Sequence, residues 1–231
     1  MIHDAAATGY SDDSERYHRA RPGYHPDVVE LVANRYGAGT VVELGAGTGI
    51  FTRQLVDNGV DVIAFEPVVS MRRTLKKTVP EADVRVGSAE NMSLADDSVD
   101  TVVAAQAFHW FDHDVAIPEM IRAIRLGGHI VTVWNVRDHS VGWVRECSSI
   151  IERYAGDTPR HRTMQWRKAL NAEPLLQAVD EWRVPNPQPM SAADAVDRVL
   201  STSFIAALPE EEHKAVADEI WDVIEPIGRS V

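Results

Sequence analysis

Three glycines at alternate positions constrain this chain more than anything else in it. In Val41-Val42-Glu43-Leu44-Gly45-Ala46-Gly47-Thr48-Gly49 an apolar run of strand type enters a glycine-rich turn, and an amphipathic segment follows at once. A backbone that turns this tightly and opens its N–H groups to a ligand belongs to the strand–loop–helix of an open α/β sheet with a nucleotide-type site. The dinucleotide fingerprint GxGxxG needs a glycine where position 50 is Ile, so the spacing here is GxGxG, which speaks against NAD. No Lys-Ser/Thr pair follows to close a phosphate loop. Glu66 ends the next apolar run, about 20 residues after Gly45, where a carboxylate can accept hydrogen bonds from two ribose hydroxyls.

The texture around the turn gives the rest of the architecture. Residues 1–24, with Gly9, Tyr10, Tyr17 and Tyr24 at irregular spacing, have no sustained period and read as an arm. Pro26 opens a helix that carries Val28, Val29, Leu31 and Val32 and stops at Gly37. Apolar runs at 40–44, 62–66, 83–86, 99–105 and 129–134 predict five strands, separated by helices over 48–58, 68–78 and 114–126. In the last of these helices Pro118 is expected in about the first turn, and Gly127-Gly128 to end it. Beyond residue 140 the pattern predicts helices over 141–154, 191–203 and 209–224, with Ser191 and Asp194 as a capping box and a sixth strand around Trp182 to Val184. The fold class is therefore α/β: a Rossmann-like, doubly wound, mostly parallel sheet with helices on both faces and extra helices after strand five. One domain over 1–231 is expected, with the run through Pro185, Pro187 and Pro189 as a loop inside it.

Composition narrows the partners. Lys plus Arg number 23 against 35 Asp plus Glu, a formal net charge of -12, which disfavours general attraction to nucleic acid or an anionic membrane. Cys147 has no second cysteine to pair with, and the start MIHDAAATGY has neither the basic nor the apolar region of a secretory signal, so a cytoplasmic protein is expected. No apolar run approaches the roughly 20 residues of a membrane span. The histidines are scattered rather than set at metal-ligand spacing, and no metal is expected.

Several ordered motifs resemble the class I (Rossmann-like) S-adenosylmethionine-dependent methyltransferases. Glu43 to Gly49 is similar to that family's cofactor loop, Phe65-Glu66-Pro67 to its acidic ribose position, and Gly87-Ser88-Ala89-Glu90 to the segment after the third strand that meets the adenine edge. Gln106-Ala107-Phe108-His109-Trp110-Phe111, Gly127-Gly128 and Trp134-Asn135-Val136-Arg137-Asp138 resemble a small-molecule subgroup of trans-aconitate-type and related type 11 methyltransferases. Tyr17, Arg21, Pro22 and Tyr24 fit its N-terminal arm, which folds over the cofactor pocket, and 140–180 would be a helical insertion on the acceptor side. The resemblance implies S-adenosyl-L-methionine as cofactor, S-adenosyl-L-homocysteine as product, and Glu43, Gly45, Ala46, Gly47, Glu66, Met71, Ala89, Glu90 and Gln106 as the residues that hold them. The family's sheet normally closes with an antiparallel hairpin, whereas this sequence stops at Val231 after a helix, so a sheet without its final strand is expected, in a monomer or a homodimer.

A sulfonium makes the methyl carbon electrophilic, so the protein has mainly to hold a small-molecule acceptor in line at about 3 Å and keep water out. His109 is the candidate base after the fourth strand, set against a role as a packed, hydrogen-bonded histidine; His113 is the weaker candidate. Trp110, Phe111, Trp134 and Trp143 could line an apolar pocket or stabilise the sulfonium, and equally could be core. Tyr17 is a further candidate on the acceptor side, and Arg21 and Arg137 could neutralise an acidic acceptor. The rival readings are a non-catalytic module that binds the same cofactor, an NAD(P)-dependent oxidoreductase, and a nucleic-acid methyltransferase.

Overall fold

The structure, a computed structural model, describes residues 14–227. The early part of the arm, Gly9 and Tyr10 included, lies outside the described residues. In chain order the helices are α1 (Ser14–Ala20), α2 (Pro26–Tyr36), α3 (Ile50–Asp57), α4 (Val69–Thr78), α5 (His113–Ala123), α6 (Gly142–Glu152), α7 (Gln165–Ala172), α8 (Ala192–Leu200), α9 (Ser203–Ala206) and α10 (Glu210–Ile224). The strands are β1 (Val41–Leu44), β2 (Val62–Phe65), β3 (Asp83–Arg85), β4 (Val99–Ala105) and β5 (Ile124–Val133).

All five strands are parallel, in the order β3-β2-β1-β4-β5. The chain winds outward from β1 through β2 to β3, then returns to β4 on the other side. The β1/β4 junction is therefore the topological switch point, and ligands in open α/β sheets bind beside its carboxyl end. Strand alternation divides the apolar side chains between two faces. Val41, Val62, Ala64, Val103 and Ala105 pack with Val29 and Val32 of α2, Phe51 and Leu55 of α3, and Leu75 of α4. Val42, Leu44, Phe65, Val102 and Ala104 pack with Ala116, Ile117 and Met120 of α5 and with Trp166 of α7.

The chain forms two compact units: residues 23–135 with 159–186, which hold the sheet, and residues 14–22 with 136–158 and 187–227 among those described. The second unit is helical, with a core of Cys147, Ile151, Val199, Ile205, Val216 and Ile220 drawn from α6, α8, α9 and α10. The Pro185 to Pro189 run spans a passage of the chain from the first unit to the second.

Several sequence expectations need correction. The arm contains a helix, α1, whose seven residues are too few to give a periodic signal. Helix α5 stops at Ala123, three residues before the expected end, and β5 starts at Ile124 rather than at residue 129. Ile124 pairs with Val99 while His129 pairs with Thr101, so the two glycines form an irregularity within the strand instead of a helix stop. Pro118 is the sixth residue of α5 and lies in its second turn, past the position where a missing N–H costs nothing. No strand forms at Trp182 to Val184; among the described residues none follows β5, and the prolines at 185, 187 and 189 supply no N–H donors for a ladder. The polar stretch after α6 contains α7, which the sequence reading left unassigned.

No helix among the described residues is long and apolar enough to cross a membrane, and no group of three or more His, Cys, Asp or Glu among them could hold a metal ion.

Candidate active site

The glycine turn lies at the switch point because β1 is buried along its whole length and leads straight into it. Phe65, at the end of the neighbouring β2, accepts hydrogen bonds through its carbonyl from the N–H groups of Gly45 and Ala46, at 2.9 and 3.1 Å. Gly45 has φ 66°, and a Cβ there would stand 2.7 Å from the Ala107 methyl group, so the turns after β1 and β4 touch at this point. Gly47 has φ 59°, and a Cβ on it would meet nothing within 4 Å. The main chain at Gly47 thus faces open space at the carboxyl edge of the sheet.

Beneath it lies Glu66, 5% exposed. One carboxylate oxygen accepts the Gly47 N–H at 2.8 Å and the other accepts the Val68 N–H at 2.7 Å. Two oxygens offer about four acceptor sites, so hydroxyl groups of a ligand can still be received. Burial raises the Glu66 pKa, offset in part by the two N–H groups and by Arg72, which itself donates to the Glu66 carbonyl at 2.7 Å. Glu43 sits deeper, 1% exposed, and its carboxyl group accepts the Thr52 hydroxyl proton at 2.7 Å. Burial pushes the Glu43 pKa up to about 8, with the Glu66 charge adding to the rise. Glu43 therefore braces the first turn of α3 from within.

The other candidate cofactor residues lie in the same unit as this turn. Met71 on α4 is 2% exposed and Ala89 likewise. Glu90 accepts the Asp112 N–H at 3.0 Å, at the start of α5. Gln106, first after β4, holds φ 56°, a left-handed conformation uncommon outside glycine and frequent where function fixes the backbone. Its amide donates to the Asn135 carbonyl at 2.9 Å. The side chains of Asn135 and Asn186 both donate to the Gly23 carbonyl at 3.2 Å, and Gln54 of α3 exchanges two 2.8 Å hydrogen bonds with the Tyr24 backbone. The segment at Gly23–Tyr24 is thereby tied to the helix of the glycine turn and to the end of β5.

Aromatic rings continue the site from β4 and β5. The 3₁₀ turn Phe108–Trp110 brings the His109 and Trp110 rings to a centroid distance of 5.2 Å. Trp134, directly after β5, donates its indole N–H to His109 Nδ1 at 3.3 Å and packs on His161 and Trp166 at 4.7 and 4.2 Å between centroids. Indole is a donor only, so His109 Nδ1 is an acceptor, the ring is neutral, and its proton is on Nε2. Burial, with the His161 and His113 charges, depresses the His109 pKa to about 3. His113 is occupied locally: its Nε2 is 3.0 Å from the Phe108 carbonyl and its ring stacks on Phe108.

Of the candidate site residues, Glu43, Gly45, Ala46, Gly47, Glu66, Met71, Ala89, Glu90, Gln106, His109, Trp110 and Trp134 fall in the sheet-bearing unit, and Tyr17, Arg21 and Arg137 in the helical one, as does Trp143. Sequence reasoning missed His161 and Trp166, which reach the Trp134 ring from a stretch with no visible period. It also missed the bonding of Asn135 and Asn186, which no local pattern announces.

Comparison with known proteins agrees with this geometry. Residues 42–132 match a family described as a methyltransferase domain. An uncharacterized methyltransferase of Mycobacterium tuberculosis is 37% identical over 208 residues, covering 90% of this chain and 82% of the relative. One from Schizosaccharomyces pombe is 32% identical over 227 residues, covering 96% and 89%. Among solved structures, a candidate type II methyltransferase from Anaeromyxobacter dehalogenans superposes with a TM-score of 0.60 at 22% identity, covering 91% of this chain and 92% of its own, a likeness of fold.

Proposed function

The chain belongs to the class I S-adenosylmethionine-dependent methyltransferases, and on that premise we propose that it methylates a small-molecule acceptor by in-line displacement, driven by proximity rather than by a base. The observation that carries the reading is the open main chain at Gly47 above the Glu66 carboxylate, at the switch point of a parallel sheet. A ligand fits there: a Cβ would meet nothing at Gly47, and Glu66 keeps acceptor sites for hydroxyl groups. When bound, S-adenosylmethionine supplies a methyl carbon made electrophilic by its sulfonium. Gly45, Ala46, Gly47, Glu66, Met71, Ala89, Glu90 and Gln106 are the residues proposed to hold it, with Glu43 as the support beneath the loop.

Trp110, Trp134, His161 and Trp166 are proposed to form an apolar wall that excludes water from the acceptor. His109, neutral and with its Nδ1 taken by Trp134, is suited to donate from Nε2 and to orient an acceptor, not to remove a proton. An acceptor that needs no base, such as a carboxylate, agrees with that state. Tyr17, Arg21 and Arg137 are proposed on the acceptor side. We take the two units together as one methyltransferase domain, working in the cytoplasm without nucleic acid or membrane.

Calorimetric titration with S-adenosylhomocysteine, with NAD and NADP as controls, tests the reading. Saturable one-site binding of the nucleoside alone is expected, and Glu66→Ala should weaken it about tenfold or more, equivalent to ~1.4 kcal/mol, with the fold intact. Binding of a dinucleotide instead, or an affinity indifferent to Glu66, overturns it. Turnover of no acceptor in a broad screen, despite tight binding of the nucleoside, would favour the non-catalytic module.

A further inference from the structure

The helical unit gathers three arginines for which the described residues around them provide little counter-charge. Arg21 follows α1, Arg137 comes soon after β5, and Arg198 is in the last turn of α8. Arg21 and Arg137 both donate to the Ser201–Thr202 turn that follows Arg198 at the end of α8. Burial depresses the Arg137 pKa to about 10, with the charges of Arg21 and Arg198 adding to the fall; burial and then Arg21 depress that of Arg198. Among the described residues, no carboxylate stands at ion-pair distance from any of the three. Glu152 and Cys147 favour the Arg137 charge only from a distance.

Their hydrogen bonds are as incomplete as their charge balance. Arg21 lies 4.9 Å over the Tyr17 ring and gives one Nη2 proton to the Ser201 carbonyl at 2.8 Å, while its buried Nε has no hydrogen-bond partner. Arg137 Nη2 donates to the Thr202 hydroxyl at 3.0 Å. A guanidinium carries five N–H donors, so most of those in the cluster have no partner among the described residues. Ser201 and Thr202 directly follow α8, and the partial negative charge of a helix C-terminus, about half a unit, cannot offset three cations. Assembling and partly burying like charges is strongly destabilising unless something neutralises them.

We propose that the helical unit holds a binding site for a small anion of two or more negative charges, gripped by Arg21, Arg137 and Arg198, with the Thr202 hydroxyl beside them. A monoanion would leave two of the three positive charges uncompensated. The planar forks of the guanidiniums match carboxylate and phosphate oxygens alike. The Thr202 hydroxyl accepts from Arg137 and keeps its own proton to donate to an anion oxygen. This goes beyond the acceptor reading by adding Arg198 and Thr202 and by fixing the ligand's charge, and it stands on binding alone, whether or not the anion receives a methyl group.

The test is calorimetric titration of the full chain with citrate, inorganic phosphate and acetate at constant ionic strength and pH 7. Saturable one-site binding of citrate or phosphate is expected, the tighter of the two identifying a polycarboxylate or a phosphate ligand, with acetate about tenfold weaker or worse. Arg198→Gln should raise the melting temperature of the free protein, because a like charge is gone, and weaken the multivalent anion about tenfold. A purely structural arginine would give the reverse, a lower melting temperature and unchanged anion affinity. Thr202→Val, which leaves the charges in place, should also weaken the anion, and serves as the probe if an arginine variant fails to fold. Equal binding of all three anions, or no binding, overturns the proposal. A parallel titration with S-adenosylhomocysteine separates this failure from failure of the cofactor assignment.

Discussion

Gly47 and Gly49 both hold positive φ, yet replacing them should have different effects. At Gly49 (φ 86°) a Cβ would stand 2.4 Å from Leu75 and 2.9 Å from Val79, so Gly49→Ala adds a packing clash to backbone strain and should cost ~2–4 kcal/mol in urea unfolding. At Gly47 only the backbone strain remains, ~1 kcal/mol, and the larger loss should be in S-adenosylhomocysteine affinity, because the methyl group would occupy the open space above the loop. Glu43 makes a pH-dependent prediction. Its folded pKa of about 8 lies above the value of about 4.3 for an unfolded glutamate, so the folded state binds the extra proton between those values. Stability should therefore fall as pH rises through that window, by up to ~1.4 kcal/mol per unit. Glu43→Gln, which can still accept from Thr52, should gain on the wild type progressively between pH 5 and 9 in urea unfolding. His109 contributes no titration in that range, and kcat should show no inflection near pH 6.5 from this residue. An inflection removed by His109→Ala would restore it as a base.

Among the elements, α5 and α8 show how local rules meet tertiary demands. Pro118 is exposed in the second turn of α5, where its ring forfeits an intrahelical hydrogen bond. Pro118→Ala should stabilise the protein by ~1–2 kcal/mol, the helix gain less the entropy returned to the unfolded chain. In α8 the Ser191 hydroxyl accepts the Asp194 N–H at 3.1 Å, the first half of the predicted capping box, and donates to the Asp194 carboxylate at 2.6 Å where the box would have the Ser191 N–H. Ser191→Ala should cost ~1 kcal/mol in the same measurement. The cap was legible because it lies within four residues. The β5 start was not, because Ile124 becomes a strand residue only through its pairing with Val99, and no local signal in Arg125-Leu126-Gly127-Gly128 separates a helix end from a strand irregularity.

For the molecule as a whole, the candidate site depends on strand order. The turns after β1 and β4, about 60 residues apart in sequence, meet because the chain reverses direction between them. A ligand bound to that junction stabilises the native state by mass action, so the melting temperature should rise with S-adenosylhomocysteine, by the equivalent of ~2.7 kcal/mol at a hundred times its Kd.

The amino-acid sequence by itself determined what rests on short-range pattern: the glycine turn, the acidic end of β2, the alternation of buried strands with helices, and the class of ligand these imply. Backbone conformation and period are encoded within a few residues, so they survive reading one segment at a time. Only the tertiary structure decided the rest. It put Trp134 against His109, so that Nδ1 accepts the indole N–H. It drew His161 and Trp166 into the aromatic wall from a stretch without pattern. It also brought Arg198 to Arg21 and Arg137, across 177 and 61 positions of sequence. Charge, burial and hydrogen bonding act through space, and the neighbours that set them are chosen by the fold.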